Sequence, residues 1–270
     1  MTRREAQDRG RARAQFKQTG KDTFLSNYWP FVGVCVLLAL LSGDLFSLQL
    51  QQISRELVSN SILIYDDPSL GNAVAYGAQL LSPYLAPFVA GSLLLSLLVV
   101  FPLQVGASRF FLESRPGYKA PFQRIGHGFV ENYGNVFLTG LFKWLFTLLW
   151  SLLFLIPGII RSFGYFAVPY ILAENPNLDH SRALQLSLQM TKGYKWDIFV
   201  LELSFLGWFL LSGVSFNIAG IFYVNPYYQA TLAEAYRFLR ENAMANGYTN
   251  SSELPGAQPP LWSGGTGVGL

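Results

Sequence analysis

Residues 132–172 read NYGNVFLTGLFKWLFTLLWSLLFLIPGIIRSFGYFAVPYIL. Between positions 136 and 156 this stretch carries one charged residue, Lys143. About 20 apolar residues, each adding 1.5 Å of helical rise, cross a hydrocarbon core of ~30 Å. Pro157-Gly158 then predicts a turn, because proline lacks an amide donor and glycine permits a tight reversal, and a second apolar run follows. The stretch therefore predicts a helical hairpin in lipid.

The whole chain is too apolar and too poor in charge for a soluble domain of its length. Of its 270 residues, 51% are hydrophobic and 13% are charged, whereas soluble domains carry about 25% charged residues. The composition predicts an all-α, polytopic membrane protein. The lone cysteine, Cys35, lies within an apolar run and cannot support an internal disulfide framework.

Six apolar stretches predict about six transmembrane helices, arranged as three hairpins with amphipathic helices on the cytoplasmic side. They cover residues 28–50, 84–112, 136–156, 158–172, 196–212 and 217–239. The fourth is short enough to be a re-entrant segment. Lysine and arginine concentrate at alternate ends, so the positive-inside rule places both termini in the cytoplasm of a bacterial plasma membrane.

Three further segments complete the predicted organisation around a transmembrane domain at 27–241. Residues 1–26 form a basic cytoplasmic arm, residues 51–80 form a cap inserted on the outer side, and residues 242–270 form a disordered cytoplasmic tail rich in glycine, proline and serine. The basic arm has two interpretations. Its cations contact anionic lipid head groups, or they only fix the orientation of the protein. The candidate contacts are Arg9, Arg11, Arg13 and Lys17.

An internal repeat places a proline in each of three return helices, at Pro102, Pro169 and Pro226. A proline inside a helix removes one hydrogen bond to the carbonyl four residues earlier and kinks the helix. One interpretation has three kinked helices lining a central cavity, with Gln104 and Gln229 supplying polarity. The other is that the kinks only let the helix bundle pack, since prolines are frequent in transmembrane helices.

Two charges fall at membrane depth, Lys143 and Glu202. Counted from the cytoplasmic side, their depths differ by about 5 Å, within side-chain reach. Glu202 is therefore expected to be either protonated or paired, with Lys143 as the candidate partner. The long side chain of Lys143 has a second option, to carry its ammonium toward the cytoplasmic interface. Thr139 and Thr147 flank Lys143 at intervals of four residues and predict a polar stripe on one side of the third span. Helix packing and a path for a solute explain such a stripe equally well.

Sequence signatures of catalysis are weak. His127 and Glu131 stand four residues apart, but this pair does not make the ligand count of a metal site. The chain contains no nucleophile elbow, no phosphate-binding glycine loop and no nucleic-acid-binding signature. We therefore expect a protein that is not an enzyme, uses no cofactor and does not bind nucleic acid.

Several separated motifs resemble the bacterial membrane-protein family called domain of unknown function 975. The first runs from Leu149-Trp150 through Phe154-Leu155-Ile156-Pro157-Gly158-Ile159-Ile160-Arg161 to Tyr165 and Pro169-Tyr170-Ile171-Leu172-Ala173-Glu174-Asn175-Pro176. Later ones are Lys192-Gly193-Tyr194-Lys195-Trp196, Leu203-Ser204-Phe205, Gly207-Trp208 and Pro226-Tyr227. The resemblance covers roughly residues 10–240. It implies a multi-pass protein without an assigned activity.

These observations predict a membrane-embedded binding, scaffold or assembly-accessory component of the cell envelope. Membrane lipids and a membrane-protein partner are the expected contacts, and the oligomeric state stays open. The alternative is a transporter or channel-like protein for a lipid or amphipathic solute, which would use the intramembrane cluster of Lys143 and Glu202.

Overall fold

The computed structural model describes residues 3–41, 91, 94–153, 155–215 and 218–256. This part of the chain is helical, and its one β-type contact is an isolated bridge between Arg115 and Tyr118. The predicted all-α class is therefore confirmed. The predicted outer cap at 51–80 and the last part of the tail lie outside the described residues.

The described α-helices are numbered here in chain order. They are α1 (Arg3–Ser26), α2 (Tyr28–Leu41), α3 (Phe101–Glu113), α4 (His127–Val130), α5 (Tyr133–Leu153), α6 (Leu155–Gly164), α7 (Val168–Glu174), α8 (His180–Met190), α9 (Lys195–Leu203), α10 (Leu206–Val214) and α11 (Asn225–Ala245). A 3-10 turn at Phe122–Gly126 leads into α4.

Three helical stretches of the described chain are long and apolar enough to cross a membrane: Ser96–Glu113, Tyr133–Leu152 and Lys195–Gly213. They overlap the predicted second, third and fifth spans, at 84–112, 136–156 and 196–212. Helices α1 and α2 make a fourth candidate if the pair counts as one span, although it bends by 98°. Six spans and the hairpin topology remain a prediction, because residues 42–90 lie outside the described part.

The opening hairpin differs in detail from its predicted form. Pro157-Gly158 lies in the first turn of α6 rather than between the helices, a position where proline's missing amide costs nothing. A side chain at Gly158 would meet the Ser151 hydroxyl of α5 at 2.2 Å, so glycine lets the two helices approach closely. The predicted fourth span is also divided, because turns at 165–167 separate α6 from α7.

The three repeat prolines occupy equivalent places. Each is the second residue of a new α-helix, at Pro102 in α3, Pro169 in α7 and Pro226 in α11. An irregular segment precedes each helix: the π-helical Ser96–Val100, the turns at 165–167 and the π-helical Gly220–Val224. A proline in a first turn needs no amide partner, and a π-turn absorbs the displaced hydrogen bonds.

The described chain divides into two compact units, one formed by residues 1–36 and 101–270 and the other by residues 37–100. The core of the first unit is rich in aromatic rings. Phe31 of α2, for example, is fully buried, and its ring centre lies 4.9 Å from that of Phe111 and 5.6 Å from that of Phe110. Such edge-to-face pairs add to the free energy of burial.

Helix α1 packs antiparallel to α11. The ring of Phe16 lies 5.2 Å from that of Phe238, whereas Phe24 lies 5.6 Å from Tyr223, just ahead of α11. Between these contacts, a Cβ atom on Gly20 would come within 2.8 Å of the Thr231 Cα atom. The predicted basic arm therefore forms a helix that packs against α11, the last helix in the described part of the chain.

Candidate functional site

The two charges predicted to pair at membrane depth do not meet. The Lys143 ammonium lies 5.5 Å from the centre of the Phe101 ring, a cation–π contact between α5 and α3. The Glu202 carboxylate accepts a hydrogen bond from the Tyr228 hydroxyl of α11 instead. No ion pair joins Lys143 to Glu202 within the described residues, so the expected intramembrane cluster is not assembled.

The polar stripe of α5 is satisfied within its own helix. The hydroxyl of Thr139 donates to the Asn135 carbonyl at 2.8 Å, and the hydroxyl of Thr147 donates to the Lys143 carbonyl at 2.8 Å. A hydroxyl that donates to the preceding turn has no proton left for a neighbouring helix or a solute, although its oxygen can still accept. Of the two interpretations of the stripe, this geometry favours helix packing over a solute path.

The residues predicted to line a central cavity differ in exposure. Pro102, Pro169 and Pro226 are buried, Gln104 is exposed and Gln229 is half-buried. None of the five lines the cavity described below. A central cavity between the three return helices stays a prediction.

The basic face of α1 makes specific contacts instead. Arg9 donates from Nη1 to the Asp197 carboxylate at 2.5 Å and to the Gly193 carbonyl at 2.7 Å. Arg13, one turn later, lies 3.5 Å from the other oxygen of Asp197, and the Lys17 ammonium lies 4.8 Å from the centre of the Phe205 ring. The spacing of four residues puts these three cations on one face, directed at the segment around α9.

A cavity of about 230 Å³ lies beside these contacts, between α1, α9 and α11. Arg9, Arg13 and Asp197 form its polar wall, and Tyr194 stands beside them, with its ring centre 5.1 Å from the Arg9 guanidinium carbon. The other walls are apolar and are supplied by Ala12, Phe16, Ile198, Leu201, Ala235, Phe238 and Leu239. An apolar volume with a charged rim is suited to an amphiphilic ligand.

A second group of charges is buried at the end of α3. Glu113, the last residue of α3, has no exposed surface and binds two arginines: Arg109 Nε at 2.5 Å and Arg124 Nε at 2.8 Å. Arg109 also donates to the Ala173 carbonyl at 2.9 Å near the end of α7. A buried carboxylate requires such partners, because its desolvation costs several kcal/mol.

Two arginines of α11 serve the ends of other helices. Arg237 donates to the Leu112 carbonyl at 2.6 Å and so caps the last turn of α3, where unpaired carbonyls concentrate negative charge. Arg240 binds the nearly buried Glu174 at 2.9 Å, at the end of α7. Helices α3, α7 and α11 are therefore joined at one end by charged side chains, which we call the polar end.

The start of the tail docks on this polar end. Glu253 forms a two-pronged ion pair with Arg182 of α8, at 2.6 and 2.9 Å, and Leu254 is fully buried. The Leu254 carbonyl accepts from Arg240, and the Gly256 amide donates to Glu174. Residues 246–256 are therefore ordered, contrary to the predicted disorder. Their composition is polar, but tertiary ion pairs and one buried leucine hold them.

Electrostatics of the polar end follow from these contacts. The hydrogen bond from Arg182 is the main reason that the pKa of Glu253 falls below its ordinary value of 4.5. The same pair raises the pKa of Arg182. Burial lowers the pKa of His127 and outweighs the opposite effect of Glu131, so the imidazole is less readily protonated than in water.

Sequence reasoning missed the acidic partners of the basic residues. Asp197 was detectable in principle, as a carboxylate in the first turn of a span next to Trp196. Glu113 had a local signal that was not used, because Arg109 precedes it by four residues on the same helix. Glu174 and Glu253 carried none, since their partners Arg240 and Arg182 are distant in the chain. Groups of three or more His, Cys, Asp or Glu side chains suited to a metal ion are not found among the described residues.

Comparison with known proteins gives the family. A family model described as "Protein of unknown function (DUF975)" matches residues 92–243. This region holds α3 to α10, nearly all of α11, Asp197 and the carboxylates Glu113 and Glu174 of the polar end. No significant match was found among curated proteins or among solved structures. Because the family model covers more than half of the sequence, the chain belongs to the DUF975 family of proteins of unknown function.

Proposed function

We propose that the protein is a multi-pass component of the bacterial plasma membrane, with six spans and both termini in the cytoplasm. In this proposal it acts without catalysis, as a binding, scaffold or assembly-accessory component of the envelope. The polar end with its docked tail is the cytoplasmic platform, and the candidate spans anchor this platform in the bilayer.

The proposal rests on one contrast. Two of the candidate spans expose most of their apolar side chains, whereas the helices of the polar end bury their charged side chains in ion pairs. Only 17% of the Tyr133–Leu152 window and 22% of the Lys195–Gly213 window are buried in the protein. Their exposed side chains are large and apolar, including Trp144, Leu149 and Leu210. Such surfaces are stable in contact with acyl chains but not with water. The polar end, in contrast, buries its charges in ion pairs and presents an ordered surface to a partner.

The alternative of a transporter gains no specific support. Its proposed cluster would need Lys143 and Glu202 in contact, and each has a different partner. The Thr139 and Thr147 hydroxyls are bound to their own helix.

Topology is tested with single-cysteine variants in a Cys35→Ser background, since Cys35 is the only cysteine. Gln15→Cys on α1 and Ser252→Cys in the docked tail are both exposed. We expect a membrane-impermeant maleimide to label both only after the plasma membrane is permeabilised. Ser59→Cys, in the predicted outer cap, should be labelled in intact spheroplasts. Labelling of either terminal reporter in intact spheroplasts would contradict the proposed orientation.

The binding role is tested by photo-crosslinking at the exposed Tyr248 of the docked tail, whose carbonyl accepts a hydrogen bond from Arg182. We expect one reproducible protein adduct from living cells, lost in a second variant that carries Glu113→Gln and so disturbs the polar end. A crosslinker at Leu149 is the matched control and should yield lipid adducts. A complete absence of protein adducts at Tyr248 and at the neighbouring exposed Ser252 would count against the scaffold role.

A further inference from the structure

We propose that the cavity between α1, α9 and α11 binds one anionic phospholipid, with its phosphodiester at Arg13 and part of one acyl chain in the cavity. This inference rests on the proposed function, because it requires the start of α9 to lie at the cytoplasmic membrane surface. The sequence alone predicted that cations of the basic arm contact lipid head groups at the membrane surface. Here, a single lipid occupies one defined cavity.

The charge balance of the cavity favours a ligand with a single negative charge. Its lining residues include two guanidinium groups, Arg9 and Arg13, and one carboxylate, Asp197. The net charge of the wall is therefore +1. Arg9 is occupied, since its Nη1 atom contacts both Asp197 and Gly193. A monoanionic head group would neutralise the remaining charge.

Arg13 is the cation positioned to receive that group. Its contact with Asp197 is long, at 3.5 Å, and its side chain retains 25% of its exposure. A guanidinium group has five donors in a planar fork that matches the oxygens of a phosphate. Most of the donors of Arg13 therefore stay available for a second anion beside Asp197.

The size of the cavity favours a chain segment over a whole ligand. Its volume of about 230 Å³ is below the ~300–1,000 Å³ of pockets that enclose small molecules. Seven apolar residues line it, which suits hydrocarbon. The ligand must therefore extend beyond the protein, as a phospholipid does when its other chain stays in the bilayer.

The polar wall of the cavity lies at the start of a candidate span, where a membrane lipid would present its head group. Asp197 lies in the first turn of α9, at the start of the candidate span Lys195–Gly213. The neighbouring Trp196 is 67% exposed, and tryptophan is typical of the layer where head groups meet acyl chains. The polar wall of the cavity is thus at the level expected of a phosphodiester.

The test uses native mass spectrometry of the full-length protein in detergent, titrated with dioleoylphosphatidylglycerol. We expect one lipid to bind in preference to dioleoylphosphatidylcholine, which has no net charge. Arg13→Gln should weaken binding about fivefold, the effect of one cation near an anionic lipid. Arg11→Gln, which removes the same charge from α1 outside the cavity lining, should change binding less than twofold. Ala12→Phe should weaken binding by filling the cavity while keeping every charge.

Four results would overturn the inference. They are equal binding of both phospholipids, equal losses for Arg13→Gln and Arg11→Gln, unchanged binding in Ala12→Phe, and tighter binding of free oleate than of phosphatidylglycerol. Thermal unfolding midpoints close to that of the parent protein verify that each variant is folded. Carbonate extraction of the same strains separates the two proposals, since release of the parent protein into the aqueous fraction would contradict the membrane role itself.

Discussion

Glu113 shows how a single side chain can stabilise several helices. The carboxylate is completely buried and binds Arg109 and Arg124. Removal of one partner from a buried pair costs about 3–5 kcal/mol because it leaves the other charge uncompensated. Arg124 remains 37% exposed, so water can recover part of its solvation. We therefore expect Glu113→Gln to lower the free energy of unfolding by about 3 kcal/mol.

The measurement for Glu113→Gln is the thermal unfolding midpoint in detergent, followed by intrinsic tryptophan fluorescence. Glu131→Gln is the control, because the Glu131 side chain is 54% exposed and lies 3.6 Å from a histidine. It should leave the midpoint nearly unchanged. Equal effects of the two substitutions would mean that the buried ion pairs do not stabilise the polar end.

The Glu253–Arg182 pair predicts a dependence of tail docking on pH. The pKa of Glu253 is lower in the folded protein than its ordinary value of 4.5. The pair therefore contributes its full stability above pH 4.5 and loses it as the pH falls through the lower, folded pKa. We expect amides of the docked tail, such as that of Leu254, which donates to the Asn250 carbonyl, to lose their protection from hydrogen exchange only in acid.

Substitution at the same residue gives the matching test. Glu253→Gln should expose the tail amides to hydrogen exchange at neutral pH and abolish the acid dependence. Glu241→Gln, at an exposed position at the end of α11, should behave like the parent protein. An acid transition that persists in Glu253→Gln would assign the titration to another group.

Helix α1 contains two glycines whose replacement should have opposite effects. A Cβ atom on Gly20 would lie 2.8 Å from the Thr231 Cα atom, whereas the nearest atom to one on Gly10 is 3.9 Å away. Gly20→Ala should therefore separate α1 from α11 and lower the unfolding midpoint. Gly10→Ala should raise helix stability by up to about 1 kcal/mol, since alanine loses less backbone entropy than glycine.

The glycine pair is measured by thermal unfolding, together with protease sensitivity of the α1–α2 junction near Asn27. Helix α1 should be released in Gly20→Ala only. A stable Gly20→Ala protein would show that the two helices can shift apart without cost.

Elements with local signals were predictable from sequence. The N-cap of α8 is one such signal: Asp179, a residue type that is typical of N-caps, accepts hydrogen bonds from the Ser181 and Arg182 amides. The repeat prolines were expected inside kinked return helices, whereas each is the second residue of a new α-helix that follows an irregular segment. The Lys143–Glu202 pair was wrong, since depth along a helix does not determine the direction in which a side chain points. The docked tail was missed because its partners, such as Arg182, lie about 70 residues away.

At the scale of the whole molecule, the contrast between exposed apolar and buried charged regions predicts where a new charge is tolerated. Leu145 is 44% exposed in the middle of α5, and Val130 is 82% exposed outside the candidate spans. An arginine at the centre of a span costs about 2.5–3.5 kcal/mol on insertion scales. Leu145→Arg should therefore reduce the amount of membrane-integrated protein several-fold.

The amount is measured by immunoblotting of carbonate-washed membranes. Val130→Arg is the matched control and should accumulate like the parent protein, because its side chain already lies in a polar setting in the proposed topology. Normal accumulation of Leu145→Arg together with loss of Val130→Arg would contradict the placement of Leu145 inside the bilayer and of Val130 outside it.

The general features of the molecule could be predicted from its composition, but the long-range contacts that form its cavity could not. The all-α class and the apolar stretches depend on sums over many residues, which the sequence supplies directly. The cavity at Arg9 and Asp197 depends on one contact across 188 positions, and no local pattern encodes it.

The cap that Arg237 provides for α3 also sets an order of events during synthesis. The Leu112 carbonyl that it binds was made 125 residues earlier. At about 5–20 residues per second, the ribosome needs roughly 6–25 s to deliver the arginine. During this interval the nascent chain exposes open carbonyls and an incomplete hydrophobic face. The polar end can therefore close only after Arg237 has been synthesised, so a holding chaperone has seconds in which to act on the unfinished protein.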